Sequence, residues 1–251
     1  MDVSVLVFAA AVGASVGSFL NVCADRLPYG RSILWARSEC EACSTELRPL
    51  DLVPVFSFIW LRGRCRHCGA AIPPRLPVVE AITAVVYAII LYQAPTVFLA
   101  AVYAVHASLL ILVALIDLNH QLILNVITYP WAVLALALST FVPGVGLWGA
   151  GAGGIVAFAL FVAIFLLSSR GMGFGDVKLA GVIGLIVGLP LVLVAFGVGL
   201  VSGGIVAGAL LLSGRRRRKD PLPFGVFLSW GGIVALLWGP TIWEAYLRWM
   251  L

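Results

Sequence analysis

The sequence predicts an all-α polytopic membrane protein with about eight transmembrane helices and one small loop domain. Hydrophobic residues make up 62% of the 251 positions and charged residues only 11%, whereas soluble domains have about 45–50% and about 25%. The mean hydropathy is +1.10, and apolar runs long enough to cross about 30 Å of hydrocarbon recur along the chain. Four of the five cysteines lie in one polar segment. These observations exclude soluble, disordered and fibrous proteins.

Eight apolar segments account for the predicted helices. The run over residues 77–116 is too long for one span, and Gln93-Ala94-Pro95 offers a break because proline interrupts a helix. Residues 177–212 divide in the same way at Leu189-Pro190. The predicted helices cover residues 3–22, 77–93, 96–116, 124–143, 147–168, 177–189, 191–212 and 224–247.

The positions of the basic residues predict the orientation in the membrane. Eight arginines lie between residues 26 and 75, and a second basic cluster runs from Arg215 to Lys219. Basic residues accumulate in cytoplasmic loops, so we expect residues 26–76 in the cytoplasm. Alternating spans then return residues 117–123, 169–176 and 213–223 to the same side. The formal charge of +5 thus reflects orientation and contact with membrane lipids, and no nucleic acid is expected as a partner.

The cytoplasmic segment contains a pattern typical of a metal site. Cys40 and Cys43 form one C-x-x-C pair, and Cys65 and Cys68 form a second one after 21 intervening residues. Two such pairs at this separation favour a structural zinc site with four cysteine ligands. The alternatives are redox-active pairs or structural disulfides, which the reducing cytosol disfavours.

Two aspartates stand out because carboxylates beside hydrocarbon are costly and usually functional. Asp117 ends the third predicted helix, and Asp176 opens the sixth. The predicted topology places both at cytoplasmic helix ends, where they could share a proton and act as acid and base. The alternative is that both merely mark helix ends. Helix dipoles predict that Asp176 is the ionised base and Asp117 the neutral acid.

Three further residues lie close to Asp176 in the sequence. Gly173 and Gly175 would allow a second chain to approach the backbone closely. Lys178 falls in the first turn of a helix, where the dipole disfavours a cation. Its position predicts either a role near the aspartates or contact with lipid headgroups.

Several motifs resemble those of the bacterial type IV prepilin leader peptidases, a family of G-x-G-D intramembrane aspartic peptidases. They occur along the chain in the same order as in that family. The G-x-G-D-V-K pattern occupies residues 173–178, and an aspartate ends a helix about 60 residues earlier, at Asp117. Residues 17–22, Gly-Ser-Phe-Leu-Asn-Val, resemble the family's opening, and residues 61–70 resemble the second half of its zinc loop.

This resemblance implies an aspartic endopeptidase that removes the leader from type IV prepilins or type II secretion pseudopilins. The implied catalytic pair is Asp117 and Asp176, with Gly173, Gly175 and Lys178 as the supporting motif. It also implies N-methylation of the new N-terminus with S-adenosylmethionine, although the chain has no glycine-rich nucleotide fold and no residue is assigned to the donor. The implied substrates have a basic leader and a hydrophobic N-terminal helix, and the implied location is the bacterial inner membrane, with the active site at the cytoplasmic face.

We expect the chain to divide into a first transmembrane helix (1–25), a cytoplasmic zinc loop (26–76) and a transmembrane peptidase core (77–251). The chain departs from the family at Asn119 and Asn125, where acidic residues are usual. The alternatives are a membrane thiol oxidoreductase that uses the C-x-x-C pairs and a non-enzymatic membrane protein coupled to ions or protons.

Overall fold

The computed structural model describes residues 2–33, 38–167, 172–214 and 222–250. These ranges contain nine α-helices and two short 3₁₀ helices, Leu27–Tyr29 and Pro49–Leu52. The α-helices are α1 (Val3–Arg26), α2 (Phe56–Trp60), α3 (Arg75–Gln93), α4 (Val97–His120), α5 (Asn125–Ser139), α6 (Gly146–Leu167), α7 (Phe174–Val187), α8 (Leu191–Leu212) and α9 (Phe224–Met250).

The prediction of an all-α membrane protein is confirmed. Across the described part of the chain, six helices are long and apolar enough to span a bilayer, namely α1, α3, α4, α6, α8 and α9. The predicted number of eight spans is not confirmed, because α5 has 15 residues and α7 has 14. At 1.5 Å per residue these two helices are only about 21–23 Å long. The second basic cluster, residues 215–219, lies outside the described residues.

The structure breaks the helices at the two positions that the sequence predicts. Helix α3 ends at Gln93, directly before Ala94-Pro95, and α4 begins at Val97. Helix α7 ends at Val187, and Gly188 follows with a φ of +69°. This left-handed conformation suits glycine, and proline at position 190 prevents the helix from continuing.

The chain forms two compact units, residues 1–108 and 109–251, with the boundary inside α4. In the first unit, α1 packs along α3 at close range. A methyl group on Gly17 would lie only 2.8 Å from the Cα of Glu80, so the backbones approach as they do where small residues line membrane helix contacts. At one end of this pair, Arg75 binds Asp25 at 2.8 Å.

In the second unit, α7 is the central helix and packs against α5, α6 and α9. Ten of its 14 residues are buried, which explains how so short a helix lies in an apolar core. A methyl group on Gly184 would overlap the backbone at Gly153 of α6. This close packing fixes the position of the first turn of α7, which carries Asp176.

Candidate active site and candidate metal centre

Asp117 lies in the last turn of α4 and is 5% exposed. Its Oδ2 accepts a hydrogen bond from the backbone N–H of Val226 at 3.1 Å. Val226 belongs to the first turn of α9, where backbone N–H groups have no partner within the helix. Asp117, which lies 109 positions before Val226 in the chain, therefore caps α9.

Asp176 is the third residue of α7 and is 9% exposed. Its Oδ2 accepts the backbone N–H of Gly173, the residue that precedes the helix, at 3.3 Å. This local contact holds the carboxylate at the positive end of the α7 dipole. Gly175, the residue directly before Asp176, and Gly225, which lies beside Asp117, both pack against Ile123, so the two predicted aspartates lie at neighbouring helix ends.

Ile123 lies between the helix ends that carry the site. A methyl group on Gly175 of α7 would lie 2.9 Å from the Cβ of Ile123, and one on Gly225 of α9 would lie 3.1 Å from its Cδ1. The same group on Gly225 would lie 2.9 Å from Asp117 Oδ2. The chain after α4 therefore passes directly beside the first turns of α7 and α9.

The two motif glycines have different surroundings. Gly175 has no room for a side chain because Ile123 fills the space. At Gly173 the nearest atom to an added methyl group would be Asp176 Oδ2, at 3.8 Å, which is an ordinary contact. The prediction that both glycines admit another chain is thus replaced at Gly175 by a contact within this chain.

Lys178 is held near the site by α5. Its Nζ donates a hydrogen bond to Asn125 Oδ1 and lies 5.7 Å from the centre of the Tyr129 ring. Because α7 begins at Phe174, Lys178 is its fifth residue and lies just beyond the first turn, not within it as predicted from the sequence. The ring face and the amide oxygen both attract a cation, which explains how α7 accommodates a lysine near its positive end. Asn125 is thus the partner of Lys178, and Asn119 lies in the last turn of α4.

The acid–base assignment from helix dipoles loses its basis in this geometry. The prediction considered only α4, whose negative end disfavours a carboxylate at Asp117. The structure adds the positive end of α9, which contacts the same carboxylate through Val226. Both aspartates therefore face the N-terminus of a helix, and the dipoles no longer distinguish them.

The four predicted metal ligands form one cluster in the first unit. The Sγ atoms of Cys40, Cys43, Cys65 and Cys68 all lie within 4.8 Å of one another. A tetrahedral zinc site with Zn–S bonds of about 2.3 Å has sulfur atoms about 3.8 Å apart, and Cys40 Sγ and Cys68 Sγ are 3.8 Å apart. All four are free thiols, so the donor set and its spacing fit Zn²⁺.

Both cysteine pairs have the same backbone fold. In the first pair, the Cys40 N–H donates to the Thr45 carbonyl oxygen, and the Ser44 N–H donates to the Cys40 carbonyl oxygen. In the second pair, the Cys65 N–H donates to the Ala70 carbonyl oxygen, and the Gly69 N–H donates to the Cys65 carbonyl oxygen. The fourth residue after the first cysteine has a positive φ in each case, +53° at Ser44 and +72° at Gly69. Backbone N–H groups from Cys68 and His67 lower the pKa of Cys65, which favours the thiolate that binds metal.

Sequence reasoning did not find Gly225 or Ile123. Gly225 contacts Asp117 and stands in the segment Pro223-Phe224-Gly225 at the start of an apolar run. A glycine directly after a proline-rich break was the available signal, because a glycine at a helix start often marks a close approach. Ile123 offers no signal, since an isoleucine in an apolar sequence is ordinary.

Comparison with known proteins gives two family matches. Residues 11–94 match the bacterial peptidase A24 N-terminal domain, and residues 104–208 match the type IV leader peptidase family. A prepilin leader peptidase/N-methyltransferase of Bacillus subtilis is 34% identical over 244 residues, which cover 94% of this chain and 95% of the relative. Its namesake in Aeromonas hydrophila is 36% identical over 92% of this chain and 90% of the relative. That of Pseudomonas aeruginosa is 29% identical over 94% and 91%, respectively. No solved structure shows a significant match.

Proposed function

The chain belongs to the type IV leader peptidase family, and on this premise we propose that it is a membrane aspartic endopeptidase. It removes the leader from type IV prepilins or type II secretion pseudopilins and N-methylates the new N-terminus. The observation that carries the proposal is the position of two buried aspartates, Asp117 and Asp176, at neighbouring helix ends that share a contact with Ile123. The names of the relatives that match over more than 90% of this chain support it.

In the proposed reaction, Asp117 and Asp176 supply the base and the acid for amide hydrolysis. One carboxylate takes a proton from water, whose oxygen attacks the scissile carbonyl carbon. The other carboxyl group, which is protonated, donates its proton to the carbonyl oxygen. When the tetrahedral intermediate collapses, the first carboxyl group passes the proton that it took from water to the leaving amine, and the second carboxylate takes a proton back from the gem-diol. Two neighbouring carboxyl groups resist double ionisation, so the pair holds one proton at rest.

The substrate proposed for this site has a basic leader and a hydrophobic N-terminal helix. Such a helix lies in the bilayer beside the bundle, and its leader junction reaches the ends of α4, α7 and α9. The distribution of basic residues supports a cytoplasmic position for this end in the bacterial inner membrane. The chain then divides into a first span (1–25), a cytoplasmic loop (26–76) and a peptidase core (77–251).

The proposed metal is a structural Zn²⁺ held by Cys40, Cys43, Cys65 and Cys68. A bound zinc ion cross-links the two cysteine pairs and so orders the loop between them. The reaction draws no proton and no nucleophile from it, because the aspartates supply both. The approach of all four Sγ atoms to within 4.8 Å of one another and the distance of 3.8 Å between Cys40 Sγ and Cys68 Sγ support this assignment.

The methyl donor proposed for the second activity is S-adenosylmethionine, which the names of the relatives suggest. A groove of about 460 Å³ runs along α1, lined by Ala11, Val12, Ser15, Val16 and Phe19. Its single hydroxyl group, on Ser15, already donates to Ala11 within the helix. This lining does not fit a ligand with a sulfonium, an amino group and a carboxylate, so no residue is assigned to the donor.

The proposal is tested with the purified full-length chain in bilayers and a candidate prepilin. Leader loss is followed by electrophoresis, and the mass of the new N-terminus reports whether a methyl group is added. Asp117→Asn and Asp176→Asn should each lower the cleavage rate by about 10²–10⁴-fold or more, the usual contribution of general acid–base catalysis. An asparagine oxygen can still accept the N–H of Val226 or Gly173, so zinc content and folding should not change.

The matched control is Asp2→Asn. Asp2 caps α1 through Ser4, and asparagine caps a helix as well as aspartate does. Near-normal cleavage by either active-site variant would refute the proposed mechanism. If the parent protein cleaves no prepilin, a non-enzymatic role coupled to ions or protons replaces the peptidase. The thiol oxidoreductase alternative is not favoured, because all four sulfur atoms converge on one metal-sized space.

A further inference from the structure

Six exposed apolar side chains lie together between the two cysteine pairs. In α2, Phe56, Ile59 and Trp60 are 73%, 65% and 82% exposed and occur at the i, i+3, i+4 spacing of one helix face. Three more precede the helix. We call the whole set the interknuckle patch: Leu50, Leu52, Val53, Phe56, Ile59 and Trp60.

The opposite side of α2 packs onto its own loop. Phe58 is half-buried, and its ring lies against Gly63, where an added methyl group would be 3.0 Å from the ring. The exposed side chains therefore do not belong to the face of α2 that packs against its own loop. They are the outer face of a folded segment, and such faces on soluble surfaces usually meet a partner or a membrane.

A hydrogen bond ties the patch to a membrane-spanning helix. The N–H of Val55, the residue directly before α2, donates to Glu80 Oε2 at 2.7 Å. Glu80 is 8% exposed and lies five residues after Arg75, the first residue of α3. At 1.5 Å per residue, Glu80 is about 7.5 Å inside the helix. Val55 thus reaches the depth of the first turns of a span.

The charged ends of α1 and α3 indicate where the bilayer surface lies. Arg75 and Asp25 form an ion pair at 2.8 Å at the shared end of these two helices. Charged groups stay out of the hydrocarbon, so this ion pair lies at or outside the lipid boundary. Because Glu80 lies beyond the pair toward the apolar part of α3, the start of α2 lies at the level of the interface.

The backbone at this contact is strained. Val55 has a φ of +63°, a conformation that is rare for a β-branched residue and is unfavourable. The bond from its N–H to the buried carboxylate of Glu80 accounts for the persistence of this conformation. The strained turn gives α2 a fixed position beside α3.

Basic residues flank the patch in the sequence. Arg48, Arg62 and Arg64 are exposed, and Arg66 binds Asp51 at 2.7 Å, which holds the pKa of Asp51 below its usual value. Apolar side chains with a basic rim match a bilayer surface that contains anionic headgroups. A substrate with a basic leader is a poorer match to these arginines.

We propose that the interknuckle patch inserts into the interfacial layer of an anionic bilayer and anchors the cysteine loop to the membrane that the chain spans. The aromatic and aliphatic side chains enter the boundary between headgroups and acyl chains, as Trp does in membrane proteins. The arginines remain among the phosphates.

The test measures which solvent surrounds Trp60. The full-length chain is placed singly in nanodiscs of phosphatidylcholine with or without phosphatidylglycerol, and the fluorescence of Trp60→Phe is subtracted from that of the parent. Lipids brominated near the headgroup should quench the Trp60 component roughly twofold or more, and aqueous iodide should not. Phosphatidylglycerol should increase the quenching, and Arg62→Gln with Arg64→Gln should remove that increase.

The matched control is Trp131→Phe, because Trp131 is only 7% exposed in α5 and its component should respond to neither quencher. Quenching of Trp60 by iodide instead of brominated lipid would place the patch in water and overturn the proposal. Protection from both quenchers would mean that protein covers the patch. If that protection occurs only in discs with two chains, the occupant is a second copy, which also overturns the proposal.

Discussion

Replacing Gly225 by alanine tests whether the contact between α9 and Asp117 matters for catalysis. The added methyl group would lie 2.9 Å from Asp117 Oδ2 and 3.1 Å from Ile123 Cδ1. Ordinary contact begins at 3.4 Å, so the carboxylate must retreat by 3.4 minus 2.9, or about 0.5 Å. Gly225 is helical and does not need a positive φ, so the effect is steric and not conformational.

The expected loss follows from the size of this displacement. A misplacement of about 1 Å can cost 10²-fold in rate, so about 0.5 Å should cost on the order of tenfold. The bond from Val226 N–H, at 3.1 Å, would also stretch beyond hydrogen-bond range. A hydrogen bond to a charged group contributes about 1.5–3 kcal/mol, so losing it could bring the total loss toward hundredfold.

The assay compares kcat for prepilin cleavage in Gly225→Ala and Gly204→Ala. Gly204 lies in the middle of α8 with no atom within 4 Å of an added methyl group, so this variant should keep parental kcat and gain up to about 1 kcal/mol of helix stability. Zinc content should be unchanged in both, because the cysteines belong to the other unit. Parental kcat in folded Gly225→Ala would show that the position of Asp117 does not depend on α9.

Three further predictions concern the metal centre and Lys178. Cys65→Ser should reduce the zinc content from about one ion per chain to none and expose the loop to protease, yet lower the rate of prepilin cleavage less than Asp117→Asn does. Elemental analysis and limited proteolysis check this, and retained zinc would contradict it. Gly69→Ala should destabilise the loop by about 1–2 kcal/mol, because the φ of Gly69 is +72°, whereas Ser44→Gly should stabilise the loop slightly. The rate of zinc loss to a chelator checks this, and equal rates in the two variants would rule it out. Asn125→Asp should turn the contact with Lys178 into an ion pair that adds about 0.2–1 kcal/mol to the free energy of unfolding and weakens with salt. Thermal unfolding at two salt concentrations checks this, and a melting temperature below that of the parent at low salt would refute it.

Local sequence signals predicted the helices well because apolar length is itself the cause of a membrane span. The predicted segment 147–168 corresponds to α6, Gly146–Leu167. The predicted segment 124–143 was too long, since α5 ends at Ser139. There, the Ser139 hydroxyl donates to Leu136 O and the Thr140 hydroxyl donates to Ala137 O. Side-chain hydroxyls that satisfy the last carbonyls end a helix inside an apolar run, and hydropathy does not register them.

The two candidate sites differed in how far sequence could describe them. The cysteine cluster was predictable because each pair is a local turn, and spacing alone determines which four sulfur atoms meet. The partners of the aspartates were only half predictable. Asp176 bonds to Gly173, three residues away, whereas Asp117 bonds to Val226, 109 residues away. The second contact depends on how α9 packs, and no local pattern encodes that packing.

This difference bears on how the two aspartates divide their roles. The N–H that binds Asp176 belongs to the entry of its own helix, so it stays in place wherever the neighbouring helices lie. The N–H that binds Asp117 belongs to α9, so a shift of α9 removes a donor from Asp117 alone. In the packing described, a helix N-terminus stabilises each carboxylate. In the proposed mechanism, their mutual repulsion leaves one of them protonated. In the proposed mechanism, the choice of acid and base then depends on the packing of α9 and on the substrate that enters beside it, not on the helix on which each aspartate resides.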